Sequence, residues 1–300
     1  MGMGTCRHPP KRRLHSFLIS TVAGIWLATA LAITSAFLAH AADSLTIEGD
    51  RWLAIANIQG SVTLQASNGA ARQAQIGDRL DSVGDILVTG TRASARLAVD
   101  QAVGSISVAE NSQLQVRTLS ITSNGGRITV IDVLRGQVRL RVRSLTNPDS
   151  RIEIQTPAGI SGVRGTDFGV TVQPGGRTGV ATSEGSVYVR AQGETVSVSA
   201  NLQTTIIPGS SPNSPEPLRD DPTVLIKALS AIPGSVPNHP MARLVGTTDP
   251  VNLIQINDES KTLTSAGRFD VVVAMDTERR VQMSVLTPLG TEQQYAFVVP

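Results

Sequence analysis

From Leu45 to Ile207 apolar and polar residues alternate in short runs rich in Val, Ile, Thr and Ser, and glycines break the runs. A period of two places successive side chains on opposite faces of an extended strand. No stretch in this region keeps a 3.6-residue apolar period for three turns, so the pattern predicts strands throughout. One short motif recurs, a turn glycine followed by an alternating strand: Gly60–Leu64, Gly104–Val108, Gly126–Val130, Gly136–Leu140 and Gly185–Val189. The copies start 44, 22, 10 and 49 residues apart, too irregular for a strict repeat. The fold class this predicts is all-β, as a solenoid-like arrangement or an irregular β-stack of hairpins. The clearest hairpin runs from Phe168 to Gln173, turns at Pro174-Gly175-Gly176 and returns from Arg177 to Thr182.

The pattern changes at Pro208. Residues 208–217 hold four prolines and no large apolar side chain, which predicts a Pro-rich linker over 208–242. Within it, Thr223 to Ser230 reads as one short helix that starts near Asp221 or Thr223 and is stopped by Pro233, Pro237 and Pro240. A second all-β unit follows over 243–300. Its strands are expected near Ala242–Gly246, Val251–Ile256, Arg268–Ala274, Val281–Leu286 and Gln293–Val299, enough for a small sandwich.

The first 41 residues follow neither pattern. Arg7, Lys11, Arg12 and Arg13 precede an uncharged run from Phe17 to Leu38, and Ala39-His40-Ala41 supplies small residues around a cleavage point. Residues 1–41 therefore read as a signal peptide cut after Ala41. At 22 residues the run is also long enough to span a bilayer, so an uncleaved anchor is the alternative, and membrane contact is expected only in that case. Cys6 lies ahead of the run, which argues against a lipoprotein anchor.

Removing the leader changes the charge and the available chemistry. It takes four of the 26 basic residues and none of the 24 acidic ones, so a net charge of +2 becomes −2. Nucleic acid as a partner loses its electrostatic warrant, because backbone binding needs clustered positive charge on the folded part. The only cysteine and three of the four histidines also leave, and only His239 remains. Cysteine nucleophiles, disulfides and thiolate or His-rich metal centres are thereby excluded. His239 sits between Pro237 and Pro240, a poor place for a base that must be held rigidly. Acid pairs could be drawn from Asp85, Asp100, Glu110, Asp132, Asp167 and Glu184, but most fall at strand ends, where turns need such residues. Asn257-Asp258-Glu259 offers calcium-type oxygens, and a hairpin turn explains it equally well. No enzyme activity, catalytic residue, metal or cofactor is expected.

Several short motifs fall in a set order: Gly77-Asp78-Arg79-Leu80, Gly84-Asp85, Leu134-Arg135-Gly136, Thr156-Pro157, Arg164-Gly165-Thr166 with Phe168, and Glu184-Gly185 with Val187. In this order and spacing they resemble the FecR domain over about residues 77–207, the core of a unit placed at 42–207. The resemblance implies an all-β, solenoid-like domain without catalysis that contacts other envelope proteins, in the periplasm or outside the cell of a Gram-negative-type bacterium. Founding members of the family carry a helical sigma-factor-binding segment before their membrane span. Only sixteen residues precede the apolar run here, too few for such a module, so that half of the function is not carried over. The unit at 243–300 is similar to small Ig-like domains, through Val245-Gly246-Thr247-Thr248-Asp249-Pro250 and Gly267-Arg268-Phe269.

Five residues are candidates for binding a partner. Arg139, Arg141 and Arg143 alternate with Val138, Leu140 and Val142, so their guanidinium groups share one strand face, which Arg117, Arg127 and Arg135 would extend. Like charges in such a ladder cost stability unless acids or an anionic partner lie beside them. The ladder reads either as a solvated face with neighbouring Asp and Glu or as a site for an acidic envelope protein or an anionic glycan. Arg164 and Thr166 flank Gly165 in a turn. There the arginine either grips a partner carboxylate or satisfies turn carbonyls, while Gly165 takes a conformation denied to other residues. The function expected is an exported, non-enzymatic binding or scaffold protein. The alternative is an envelope signal transducer that senses an outer-membrane receptor.

Overall fold

The computed structural model describes residues 51–100, 103–233 and 240–300, all within one compact unit. Among them there is no helix. The leader expected over residues 1–41, residues 42–50 and His239 lie outside the described residues.

Two facing sheets form the larger part. The strands are β1 Leu53–Gln59, β2 Val62–Gln65, β3 Ala71–Gln73, β4 Arg79–Leu80, β5 Ile86–Thr89, β6 Ser94–Val99, β7 Gly104–Val108, β8 Gln113–Ile121, β9 Arg127–Val142, β10 Arg151–Gln155, β11 Ile160–Val163, β12 Thr166–Val172, β13 Thr178–Glu184, β14 Ser186–Ala191, β15 Glu194–Ser199, β16 Leu202–Ile206 and β17 Glu216–Pro217. The first sheet is ordered β4-β1-β6-β7-β9-β12-β13-β16-β17. The second is ordered β3-β2-β5-β8-β9-β10-β11-β14-β15. From β10 onward the chain gives two strands to one sheet and two to the other. Pairing is antiparallel except between β9 and β10. Of the two architectures the sequence left open, the irregular stack of hairpins describes this arrangement.

Strand β9 belongs to both sheets. Residues Arg127–Arg135 pair with β8 in the second sheet, and Gly136–Val142 pair with β12 in the first. The strand turns at Gly136, whose φ is 93° and whose added Cβ would stand 2.1 Å from the Ser112 Oγ. Only glycine fits that pivot. Period-two alternation then sets the core. On β6, Ala95, Leu97 and Val99 are buried while Arg96 points out, and on β9 Val138, Leu140 and Val142 are buried opposite the arginines. Phe168 and Val170 of β12 join them in one continuous core that runs from Leu53 to Ile206.

The remaining strands are β18 Leu225–Ala231, β19 Met241–Thr247, β20 Leu253–Ile256, β21 Glu259–Lys261, β22 Arg268–Ala274, β23 Arg280–Leu286 and β24 Glu292–Val298. They form a three-stranded sheet, β18-β19-β22, and a four-stranded sheet, β21-β20-β23-β24, around Leu244, Ile254, Phe269, Val281 and Val285. The helix expected over Thr223–Ser230 is a correction: this stretch is strand β18, paired antiparallel with β19 from Leu225↔Thr247 to Ala231↔Ala242. Its apolar residues are spaced for a half-buried edge as well as for one helical turn, and pairing to β19 decides between them. The same strand places part of the 208–242 stretch inside the C-terminal sheet. The turn at Asn257-Asp258 has positive φ at both residues, 49° and 67°, the geometry of a two-residue hairpin loop.

The two parts pack directly on each other. On the outer face of the first sheet, an added Cβ at Gly169 would stand 1.7 Å from the Pro288 carbonyl oxygen, and one at Gly179 would stand 2.5 Å from the Val251 oxygen. Around these glycines, Gln137 donates to Pro288 O at 2.7 Å and Arg139 to Leu289 O at 2.8 Å. Gln173 donates to Asn252 O at 2.8 Å, and the Thr171 hydroxyl donates to Val251 O. Neither glycine has a positive φ, so close approach of the neighbouring backbone explains them.

Candidate functional site: a charged trough on the first sheet

The C-terminal sandwich covers one half of this outer face and leaves the other open. The open half forms a trough of about 630 Å³, lined by Arg96, Ser105, Arg141, Arg143, Asp167 and Glu184 among others. Register explains the lining. Ser105 of β7 faces Arg141 of β9, Arg141 faces Asp167 of β12, and Asp167 faces Glu184 of β13, so one row of outward positions crosses four neighbouring strands. The floor carries Gly104, Gly165 and Gly185 and no aromatic side chain.

The three arginines of the ladder are not equivalent. Asp167 accepts two bonds from Arg139, both 2.8 Å, and one from Arg141 at 3.1 Å. The hydrogen bonds it donates to Asp167 hold the Arg139 guanidinium above its ordinary pKa. Arg139 also reaches Leu289 O, which ties it to the sandwich rather than to the open trough. Arg143 is exposed, and its side chain makes no hydrogen bond or ion pair among the described residues. The acid beside the ladder, which the strand pattern alone did not assign, is therefore Asp167. Arg117 is drawn to Asp132 and Arg127 to Asp100, so neither extends the patch as a free cation.

Arg164 and Thr166 hold a turn. Arg164 donates to Asn147 O at 3.2 Å, while its own carbonyl accepts from the Leu145 amide at 2.8 Å. Gly165 has φ 145°, and its added Cβ would meet Ser144 Cα at 2.6 Å. Thr166 is buried and its hydroxyl donates to Ser186 O at 3.2 Å. Thr166 and Glu184-Gly185 thus meet at the crossing between the sheets. Thr156 does similar work: its hydroxyl accepts from the Gly159 amide and from Thr178, and the following Pro157 packs on Gly176 of the β12–β13 turn. Asp85, buried, accepts backbone bonds from Ser67, Asp81 and Ser82.

Five of the six carboxylates weighed for acid–base work have partners of this kind, Glu184 being the exception among the described residues. Asp100 is buried in an ion pair with Arg51 at 2.9 Å, and Arg51 also donates to Ser120 O, Ile128 O and Thr129 Oγ1. Asp132 binds Arg117, and Glu110 accepts from the Arg92 amide. Only Asp167 and Glu184 of the six line the trough, and Asp167 is shared by two arginines. Among the described residues no three His, Cys, Asp or Glu side chains are grouped to hold a metal ion. The buried Arg51–Asp100 pair and the docking glycines escaped the sequence reading, because period-two patterning marks which face a residue takes and not what covers that face.

Fold and site together define an all-β module of alternating hairpins whose motif residues fasten turns and crossings around one open, charged face. Residues 83–188 match the family described as FecR protein, within the 77–207 stretch that resembles it. Two crystal structures, each described as "a putative anti-sigma factor from Parabacteroides distasonis", are similar to it. One shares 16% identity over 38% of this chain and 51% of that one, with a TM-score of 0.32. The other shares 12% identity over 49% of this chain and 68% of that one, with a TM-score of 0.38. The chain thus spans about half the length of the first of them. No curated protein matches the sequence.

Proposed function

We propose that this chain is an exported, non-enzymatic envelope protein that acts as a receiving module in envelope signalling, binding another envelope component through the charged trough. The observation that carries the reading is the convergence of Arg141 and Arg143 beside Asp167 on one open face, within the segment that matches the FecR family. The family match favours signalling over a purely structural scaffold. Partner engagement from a fixed, two-sheet surface needs little backbone reordering on binding. Catalysis forms no part of the reading, since the acids of the trough are engaged by arginines or stand alone.

Photo-crosslinking tests it. A photoreactive residue at Ser105 or Ser144 in the trough should capture a discrete envelope component in the living cell, and one at Ser197 on the far sheet should not. Equal labelling from all three positions, or none from the trough, would overturn the reading. Turnover of muropeptides or polysaccharides by residues 42–300 would replace it with an enzyme.

A further inference from the structure

The strand order of the first sheet arranges the trough's charges by sign. Arg96 lies on β6, Ser105 on β7, Arg141 and Arg143 at the end of β9, Asp167 on β12 and Glu184 on β13. Read across the sheet, the lining passes from basic to acidic. Internal pairing removes the middle of this series: Arg141 is held by Asp167. The ends stay available. Arg143 has no side-chain partner, Arg96 has only a 3.3 Å contact to Ser105 Oγ, and Glu184 makes no side-chain hydrogen bond or ion pair among the described residues. Neighbouring strands stand about 4.8 Å apart, so the four steps from β6 to β13 separate Arg96 from Glu184 by roughly 19 Å, the length of about six residues of extended chain.

The floor bears on what could lie there. Gly104 and Gly165 border the trough without side chains, and the packed backbone leaves no room for one: a Cβ would stand 2.6 Å from Arg141 O at the first and 2.6 Å from Ser144 Cα at the second. A flat floor accepts a main chain lying across the strands. Sugar rings dock best on aromatic faces, and this lining has none. Resting on the reading above, we infer that the trough takes an extended peptide segment of dipolar charge, with carboxylate side chains toward Arg96 and Arg143 and a basic side chain over Glu184, about six residues from the acid at Arg96. The partner is accordingly a protein with an exposed segment of that pattern.

The probe is a labelled synthetic peptide, Asp-Asp and Lys-Lys separated by five Gly/Ser residues, titrated into residues 42–300 by fluorescence anisotropy at 50 mM and 300 mM salt. It should bind, weaken at the higher salt, and lose about tenfold in affinity with Arg96→Gln/Arg143→Gln, since each exposed pair contributes modestly. Glu184→Gln should weaken the same peptide and leave an all-Asp peptide unaffected. Neither substitution removes a core contact, and unchanged thermal melting confirms that each variant folds. Oligogalacturonate binding as tightly as the peptide, with the same loss on arginine substitution, would reassign the site to anionic glycans and overturn the peptide. An all-Gly/Ser peptide that binds equally would overturn the charge rule. Failure of these probes while crosslinking from Ser105 or Ser144 succeeds would sink this inference and leave the signalling reading in place. Failure of the crosslinking would sink the signalling reading itself.

Discussion

Gly169→Val is the sharpest test of how the two parts of the molecule are joined. The new Cβ would stand 1.7 Å from Pro288 O and 2.3 Å from its carbonyl carbon, both backbone atoms that cannot rotate away. An ordinary contact needs almost twice that separation, so β12 and the loop after β23 must part by more than an ångström. The nearest bonds that span the gap are Gln137 to Pro288 O and Arg139 to Leu289 O. A neutral hydrogen bond contributes about 1 kcal/mol and one from a charged group about 1.5–3 kcal/mol, so losing both costs about 3 kcal/mol. For a unit of this size that corresponds to a fall in Tm of about 6–12 °C. Differential scanning calorimetry reads the shift, and hydrogen exchange at Leu289 and Gly290 reads the local opening. If the sandwich detaches before the whole unit melts, proteolysis between Pro208 and Leu225 should accelerate instead. Ser105→Ala, in the open trough on the same face, is the control and should change neither. A Gly169→Val protein with wild-type melting, exchange and proteolysis would refute the argument that strand glycines fasten the two parts.

Three further outcomes follow from the same contacts. Asp100→Ala should destabilise by about 3–5 kcal/mol in urea unfolding, because it strands the Arg51 guanidinium, whose side chain is 5% exposed, without its counter-ion; a loss below 1 kcal/mol would mean the pair is dispensable. Arg143→Gln should leave the urea midpoint unchanged and Arg139→Gln should lower it, and equal effects would restore the view of a uniform ladder. Asp78, through its hydrogen bond from Arg72, and Asp221, through the Thr223 hydroxyl, have carboxyls held below the usual carboxylate range. A lowered folded value stabilises above the unfolded pKa and is lost as pH falls through the folded one, so stability should decline below about pH 4 and Asp78→Asn should flatten that decline in an acid titration by circular dichroism.

How much of this was legible beforehand depends on the reach of the signal. Strand content, the burial of Val138, Leu140 and Val142, and the hairpin at Pro174-Gly175-Gly176 follow from neighbours a few residues apart, and local pattern carries them. Strand β18 shows the limit: Leu225, Leu229 and Ala231 fit a helical turn and an edge strand alike, and the partner that decides, β19, lies beyond a proline-rich stretch. The docking glycines mark a second limit. Gly169 and Gly179 look like weak points in strands until Pro288 and Val251, far along the chain, are brought against them. Arg164 was readable either as a hook for a partner or as a brace for its turn, and the carbonyl of Asn147 engages it as a brace.

The ladder of like charges shows why the trough and the docking surface cannot be treated apart. Three arginines at alternate positions would repel one another, yet only one remains without a partner. Asp167 sits across the strand from Arg141 and binds both it and Arg139, and Arg139 in turn holds the loop at Leu289. The carboxylate is thus shared between a residue of the open trough and a residue of the buried contact. A ligand group that drew Arg141 away would leave Asp167 wholly to Arg139 and tighten that bond. A cation that took Asp167 would free Arg139 from its acid and leave Leu289 O as its one fixed partner. The open trough and the contact at Leu289 therefore share one carboxylate, and neither can be altered at Asp167 without touching the other.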